Sequence, residues 1–148
     1  MDPRAHLNIL DTHAWLWLME GDARFDPAMI GELEDAASTG SLFVSTLSLW
    51  EVAALESLGR VRFAVPVDAW FEEALGVPGL NLLDVDSRTA AESARLPGAF
   101  AGDPVDRLLV AAARTHGGRI YTADDRILAY GRAGYVDAVA IATGAGSA

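Results

Sequence analysis

The chain has 148 residues, 51% of them hydrophobic, which suffices for one substantial core and not for two ordinary domains. It contains no cysteine and no lysine, so disulfides, thiolate nucleophiles, cysteine zinc sites, P-loops and Schiff bases are all excluded. Eleven basic against 21 acidic residues leave a formal net charge of −10, which argues against broad nucleic-acid binding by bulk charge and favours a basic partner, a bound cation, or both.

In chain order, Leu7-Asn8-Ile9-Leu10 reads as a short buried strand ending at Asp11-Thr12, with Thr12 capping a helix through Met19 that Gly21 stops. A second helix follows Pro27 and ends near Ser38-Thr39-Gly40. Leu42 to Ser45 reads as a second strand, and Thr46 or Ser48 as the cap of a helix closed by Gly59. A helix from Pro66 to Leu75, a third strand from Leu80 to Leu83 and a helix from Ser87 to Arg95 follow. Pro104 to Thr115 carries the strongest helical pattern, opened by Asp103 and stopped by Gly117-Gly118, with His116 suited to the negative C-terminal end. Arg119 to Thr122 reads as a fourth strand, then a short helix from Asp124 or Asp125, a fifth strand from Val136 to Ile141, and a disordered tail from Ala142 to Ala148.

Short, continuously apolar strands alternating with helices predict an α/β fold, a small parallel sheet of four to five strands with helices on both faces. The whole of 1–148 is then one domain with its core at about 7–141. No apolar run reaches the ~18 residues of a spanning helix. The first residues lack the basic flank and cleavage site of a signal peptide, so the expectation is a cytoplasmic protein without a membrane role.

Ligands of parallel sheets bind outside the carboxyl ends of the strands. Acids fall there: Asp11 after the first strand, Glu51 in the helix after the second, Asp103 and Asp106 at the start of the longest helix, and Asp124 after the fourth strand. Two unit charges 4 Å apart repel by roughly 4 kcal/mol at an effective dielectric near 20, so such a cluster must take up protons or hold cations. Oxygen donors alone suit Mg²⁺ or Mn²⁺, ions that activate water and stabilise phosphoryl-transfer charge. The plainer alternatives are helix caps for Asp103 and Asp124 and a solvated charge for Asp125. Asp11 and Glu51, each set in an apolar stretch, are harder to explain in that way.

Four segments in order, Ile9–Trp17, Val44–Ala53, Asp103–Ala113 and Ile120–Asp124, resemble the PIN domain of VapC-type toxins from bacterial toxin–antitoxin pairs. The resemblance spans about Leu7 to Ile141. It implies a PIN-like fold and an Mg²⁺- or Mn²⁺-dependent endoribonuclease toxin, cutting RNA by in-line attack of water and neutralised by a cognate VapB-type antitoxin. By position, Asp11, Glu51, Asp106 and Asp124 match the family's acidic quartet, with Asp11, Asp106 and Asp124 as metal ligands. Asp103 matches an additional acid, and Thr12 and Thr122 match site-lining hydroxyls. The chain departs from the family where Ala101-Gly102 replaces a frequent histidine, where Leu55 and Arg60 stand for common lysines, and in Asp-Pro-Val-Asp for the usual Asp-Pro-Phe-Asp.

Arg107 and Arg126 are the leading candidates for RNA-phosphate contact, followed by Arg60 and Arg62, with surface ion pairs as the plainer role. Trp15 and Trp17 point to different sides of one helix and read either as core or as an antitoxin or homodimer contact. His13 reads as a locally packed neighbour of the site. Two other functions remain open: an aspartyl-phosphate enzyme using Asp11, which the missing lysine disfavours, and a catalytically idle PIN-like binding module.

Overall fold

The computed structural model describes residues 7–142. Five parallel strands, β1 (Asn8–Leu10), β2 (Leu42–Ser45), β3 (Leu80–Leu83), β4 (Arg119–Thr122) and β5 (Asp137–Ala140), lie in the order β3-β2-β1-β4-β5. The helices are α1 (Thr12–Glu20), α2 (Ile30–Ser38, entered through a 3₁₀ turn at Pro27–Met29), α3 (Thr46–Ser57), α4 (Val67–Leu75), α5 (Ser87–Ser93), α6 (Pro104–Thr115) and α7 (Asp125–Arg132). None of these described helices is long and apolar enough to cross a membrane.

Period-two alternation sends neighbouring side chains to opposite faces of the sheet. Leu10 and Tyr121 pack with Trp15, Val52 and Trp70 on one face. Ile9 and Ile120 pack with Val105, Leu109, Ala113 and Ile127 on the other. Both cores are therefore built on β1 and β4, the fully covered centre of the sheet. At the edges the runs are apolar without being buried, and Leu82 on β3 is exposed.

Two capping assignments shift by one residue or more. Asp11, not Thr12, caps α1, and Ser45, rather than Thr46 or Ser48, caps α3. Both caps keep extended backbone (φ −73°, ψ 174° and φ −76°, ψ 145°), so Asp11, directly after β1, and Ser45, the last residue of β2, carry the strand's conformation into the helix cap. Gly21 closes α1 in the left-handed conformation at φ 63°, as expected. Of the expected tail, Ala142 forms an antiparallel bridge with Phe25 and the remainder lies outside the described residues.

The order of the strands sets the location of the site. The chain moves from β1 outward through β2 and β3, then crosses back to place β4 on the other flank of β1. Connections leaving β1 and β4 thus diverge, opening a crevice at the carboxyl ends of these two strands. Asp11 follows the end of β1 directly, and Asp124 lies two residues past the end of β4.

Candidate active site

A cleft of ≈ 270 Å³ opens there, lined by five carboxylates (Asp11, Glu51, Asp103, Asp106 and Asp124) with Arg126 as the sole arginine lining it among the described residues, beside Thr12, His13, Trp17 and Ala123. Asp11, Asp103 and Asp124 are the N-caps of α1, α6 and α7. The cap reading and the site reading of these acids are therefore both true. Three helix N-termini, with their partial positive charge, face the acids they help to hold.

Asp11 sits deepest, 5% exposed. Its Oδ1 accepts from the Ala14 backbone N–H at 2.8 Å, and its Oδ2 accepts from Thr122 Oγ1. That hydroxyl in turn accepts from the Asp124 N–H at 2.9 Å, which links the acids at the ends of β1 and β4. Burial pushes the Asp11 carboxyl up to about 6 against the hydrogen bonds that favour its ionised form. Asp106 is pushed up to about 7, first by burial and then by the charges of Asp103, Asp124, Asp11 and Glu51. Asp124 goes the other way. Burial opposes its ionisation, yet the Arg126 side chain and the N–H groups of Arg126 and Ile127 hold it below the usual range.

Arg126 Nη2 lies 3.6 Å from Asp106 and 3.3 Å from Asp124, bridging the two. One guanidinium among five carboxylates leaves most of the charge uncompensated. The donor set is all oxygen, with neither cysteine nor a ligating histidine pair, and it fits a hard divalent cation such as Mg²⁺ or Mn²⁺. No group of three His, Asp or Glu side chains among the described residues is arranged to hold an ion as it stands. Mg²⁺ commonly takes only one or two carboxylates and completes its shell with water and phosphate oxygens, so a looser acidic cleft is compatible with it.

The other named residues divide. Thr12 lines the cleft and shares a buried 2.9 Å hydrogen bond with Ser48, tying α1 to α3. Thr122 does not line it; fully buried, it supports Asp11 from behind. Arg107 is not placed for phosphate contact, because its Nε donates to the Ser93 carbonyl at 3.0 Å and its Nη1 to the Phe100 carbonyl at 2.8 Å. It pins the segment between α5 and α6. Trp15, at 0% exposure, packs edge-on against Trp70 and parallel to Phe71 and is core, so it offers no surface to a partner. Trp17 does reach the cleft, with the exposed His13 edge-on to it at 6.2 Å. The helical period separates indoles two residues apart, but only the packing shows which lies inside. At Gly102, a Cβ would meet the Phe100 ring at 2.4 Å, so the family's frequent histidine has no room at this position unless Phe100 moves.

Known proteins share this chain's sequence pattern and fold. The chain is 32% identical over 119 residues to Ribonuclease VapC22 of Mycobacterium tuberculosis, a match covering 80% of this chain and 88% of that one. Its fold is similar to that in the crystal structure of VapBC2 from Rickettsia felis bound to a promoter DNA fragment (TM-score 0.68, 13% identity, 91% of this chain and 98% of that one). It is similar also to the DNA-bound VapBC of Salmonella typhimurium (TM-score 0.65, 17% identity, the same coverage). The family model of the PIN domain matches residues 9–133, the span that carries most of both cores and every carboxylate of the cleft. The chain belongs to the PIN domain family.

Proposed function

We propose that the protein is a metal-dependent endoribonuclease, a toxin that hydrolyses RNA phosphodiester bonds and is neutralised by a VapB-type antitoxin. The observation that carries this reading is the convergence of Asp11, Glu51, Asp106 and Asp124 at the switch point of a parallel sheet, in a chain 32% identical to a ribonuclease. Asp11, Asp106 and Asp124 would hold Mg²⁺ or Mn²⁺, with Asp103 and Glu51 completing the acidic wall. Such an ion supplies Lewis-acid polarisation of the phosphate and an activated water. Asp11 is held for this by Ala14 and Thr122 from fixed secondary structure, which keeps its carboxylate from following the substrate. Arg126, loosely bridging Asp106 and Asp124, is placed to turn to an incoming phosphate once those acids carry a cation. An aspartyl-phosphate reaction has no support here, since the chain holds no lysine and its curated relative is a ribonuclease.

The antitoxin reading draws on the solved VapBC assemblies of similar fold and on the charge of the cleft. A basic side chain from the partner, most suitably arginine with its bidentate fork, would fit among the five carboxylates and compete with metal and RNA. A homodimer and a cytoplasmic location belong to the same proposal. Total RNA incubated with the purified protein and Mg²⁺ or Mn²⁺ should yield discrete new 5′ ends that EDTA abolishes. Cleavage that ignores EDTA would remove the metal-dependent reading, and its absence under all conditions would favour the idle binding module.

A further inference from the structure

Beside the acidic cleft lies a second groove of ≈ 330 Å³, and the two share His13 and Trp17. Its character is opposite. Arg24, Arg60 and Arg62 line it against Glu20 and Asp22, a local excess of positive charge in a chain of net charge −10. Both acids are already engaged: Glu20 Oε2 accepts from Trp70 Nε1 at 3.1 Å, and Asp22 pairs with Arg24 at 2.8 Å. The Arg24 guanidinium, fixed by that pair, lies 4.4 Å from the Trp17 ring centre. Arg60 and Arg62, by contrast, are exposed, and their side chains enter no ion pair or hydrogen bond among the described residues. Elsewhere Arg114, Arg119 and Arg126 are each tied to a carboxylate.

We infer that this groove is a subsite for single-stranded RNA next to the scissile bond. A base would stack on the Trp17–Arg24 platform, and Arg60 and Arg62 would contact the phosphates on either side. Flat aromatic and guanidinium faces together with cations that track a backbone are the means by which single strands are held without reading sequence. The shared wall of His13 and Trp17 means that a strand lying in the groove runs directly into the carboxylate cleft. The tension between an acidic protein and a polyanionic substrate is thereby resolved locally: the strand is gripped at the arginines and cut at the acids.

This inference rests on the RNA-cleaving reading of the cleft, and the two fail separately. Binding is measured with the whole chain carrying Asp11→Asn, using a fluorescein-labelled mixed-sequence single-stranded RNA of about 12 nucleotides, long enough to span both grooves. Adding Arg60→Gln and Arg62→Gln should weaken binding about tenfold and reduce the slope of log affinity against log salt by about 1.4, the loss of two phosphate contacts to a single strand. Trp17→Leu should weaken binding about tenfold with little change in slope, since stacking releases no counterion. The arginine variant alters exposed, unpaired side chains, so it remains decisive even if Trp17→Leu does not fold. Unchanged affinity and slope in that variant overturn the subsite, whether or not the wild-type protein cuts RNA. Arginine-dependent binding by a protein that cuts nothing upholds the groove and removes the nuclease. Poly-glutamate competing as well as RNA would overturn the inference in favour of an acidic protein segment.

Discussion

Replacing Asp11 by Asn should stabilise the metal-free protein at alkaline pH and not at acidic pH. Asp11 is buried, and its carboxyl is pushed from 3.8 to about 6. A displacement of that size corresponds to about 3 kcal/mol between the two protonation states. The folded state holds the proton more tightly than the unfolded chain. The group's favourable contribution is therefore complete below the unfolded value of 3.8 and lost as the pH rises through about 6. Asn carries no charge and keeps an Oδ1 acceptor for the Ala14 N–H, as a good N-cap. It forgoes the acceptor that Thr122 Oγ1 now uses, a loss of about 1 kcal/mol. The balance is a gain of about 2 kcal/mol at about pH 8, or roughly 4–8 °C in Tm for a domain of this size. At about pH 4.5, still above the unfolded value of 3.8, only about 1 kcal/mol of that advantage is present and it offsets the lost hydrogen bond, so Tm should be about unchanged. Circular-dichroism melts in EDTA at the two pH values measure this directly. A Tm that falls by the same amount at both pH values would refute the claim that a buried, uncompensated charge dominates the energetics at Asp11.

Four further outcomes follow from particular contacts. Mn²⁺ should raise Tm in the wild type and much less in an Asp106→Asn, Asp124→Asn double variant, because only a cation bound in the cleft stabilises the native state through these acids; an equal rise in both would place the metal elsewhere. Trp15→Ala should cost about 3–5 kcal/mol in denaturant unfolding, as a buried indole packed against Trp70 and Phe71, and a near-neutral result would show that it is not core. Arg107→Ala should lower stability by about 1.5–3 kcal/mol through the lost bonds to the Ser93 and Phe100 carbonyls while leaving the KM for RNA unchanged. Gly102→Ala should destabilise by about 1–3 kcal/mol through its clash with the Phe100 ring, and a neutral effect would mean that the ring moves freely.

Much of the fold was legible because its signals are local. Leu42 to Ser45 is a strand by its continuous apolar run, and Pro104 to Thr115 a helix by its cap, its proline and its terminal glycines. The caps at Asp11 and Ser45 differ from the expected ones by a residue or more because both keep the strand's extended backbone, so the pattern shows no break before the helix. The acids of the cleft were legible for a different reason, namely that the sheet's parallel order brings the ends of β1 and β4 together whatever the intervening sequence does. What pairwise three-dimensional contact decides was not legible. Nothing near Arg107 in sequence announces the carbonyls of Ser93 and Phe100, and nothing near Thr122 announces that its hydroxyl turns inward to Asp11, 111 positions away. The groove beside the cleft joins Trp17 and Arg24 to Arg60 and Arg62 across two connections, a proximity that only the packing of α1 against the chain after α3 creates.

The central claim is that the carboxylates at the switch point of the sheet cut RNA with the help of a divalent cation. Single-turnover cleavage of RNA in Mn²⁺, comparing wild type with Asp11→Asn and with each variant's fold confirmed by its melt, tests it most directly. The account predicts cleavage by the wild type that EDTA stops, and loss of at least about 100-fold in Asp11→Asn, the scale on which removing one fixed electrostatic contributor slows a polar reaction. Cleavage by Asp11→Asn at the wild-type rate, indifferent to EDTA, would contradict it.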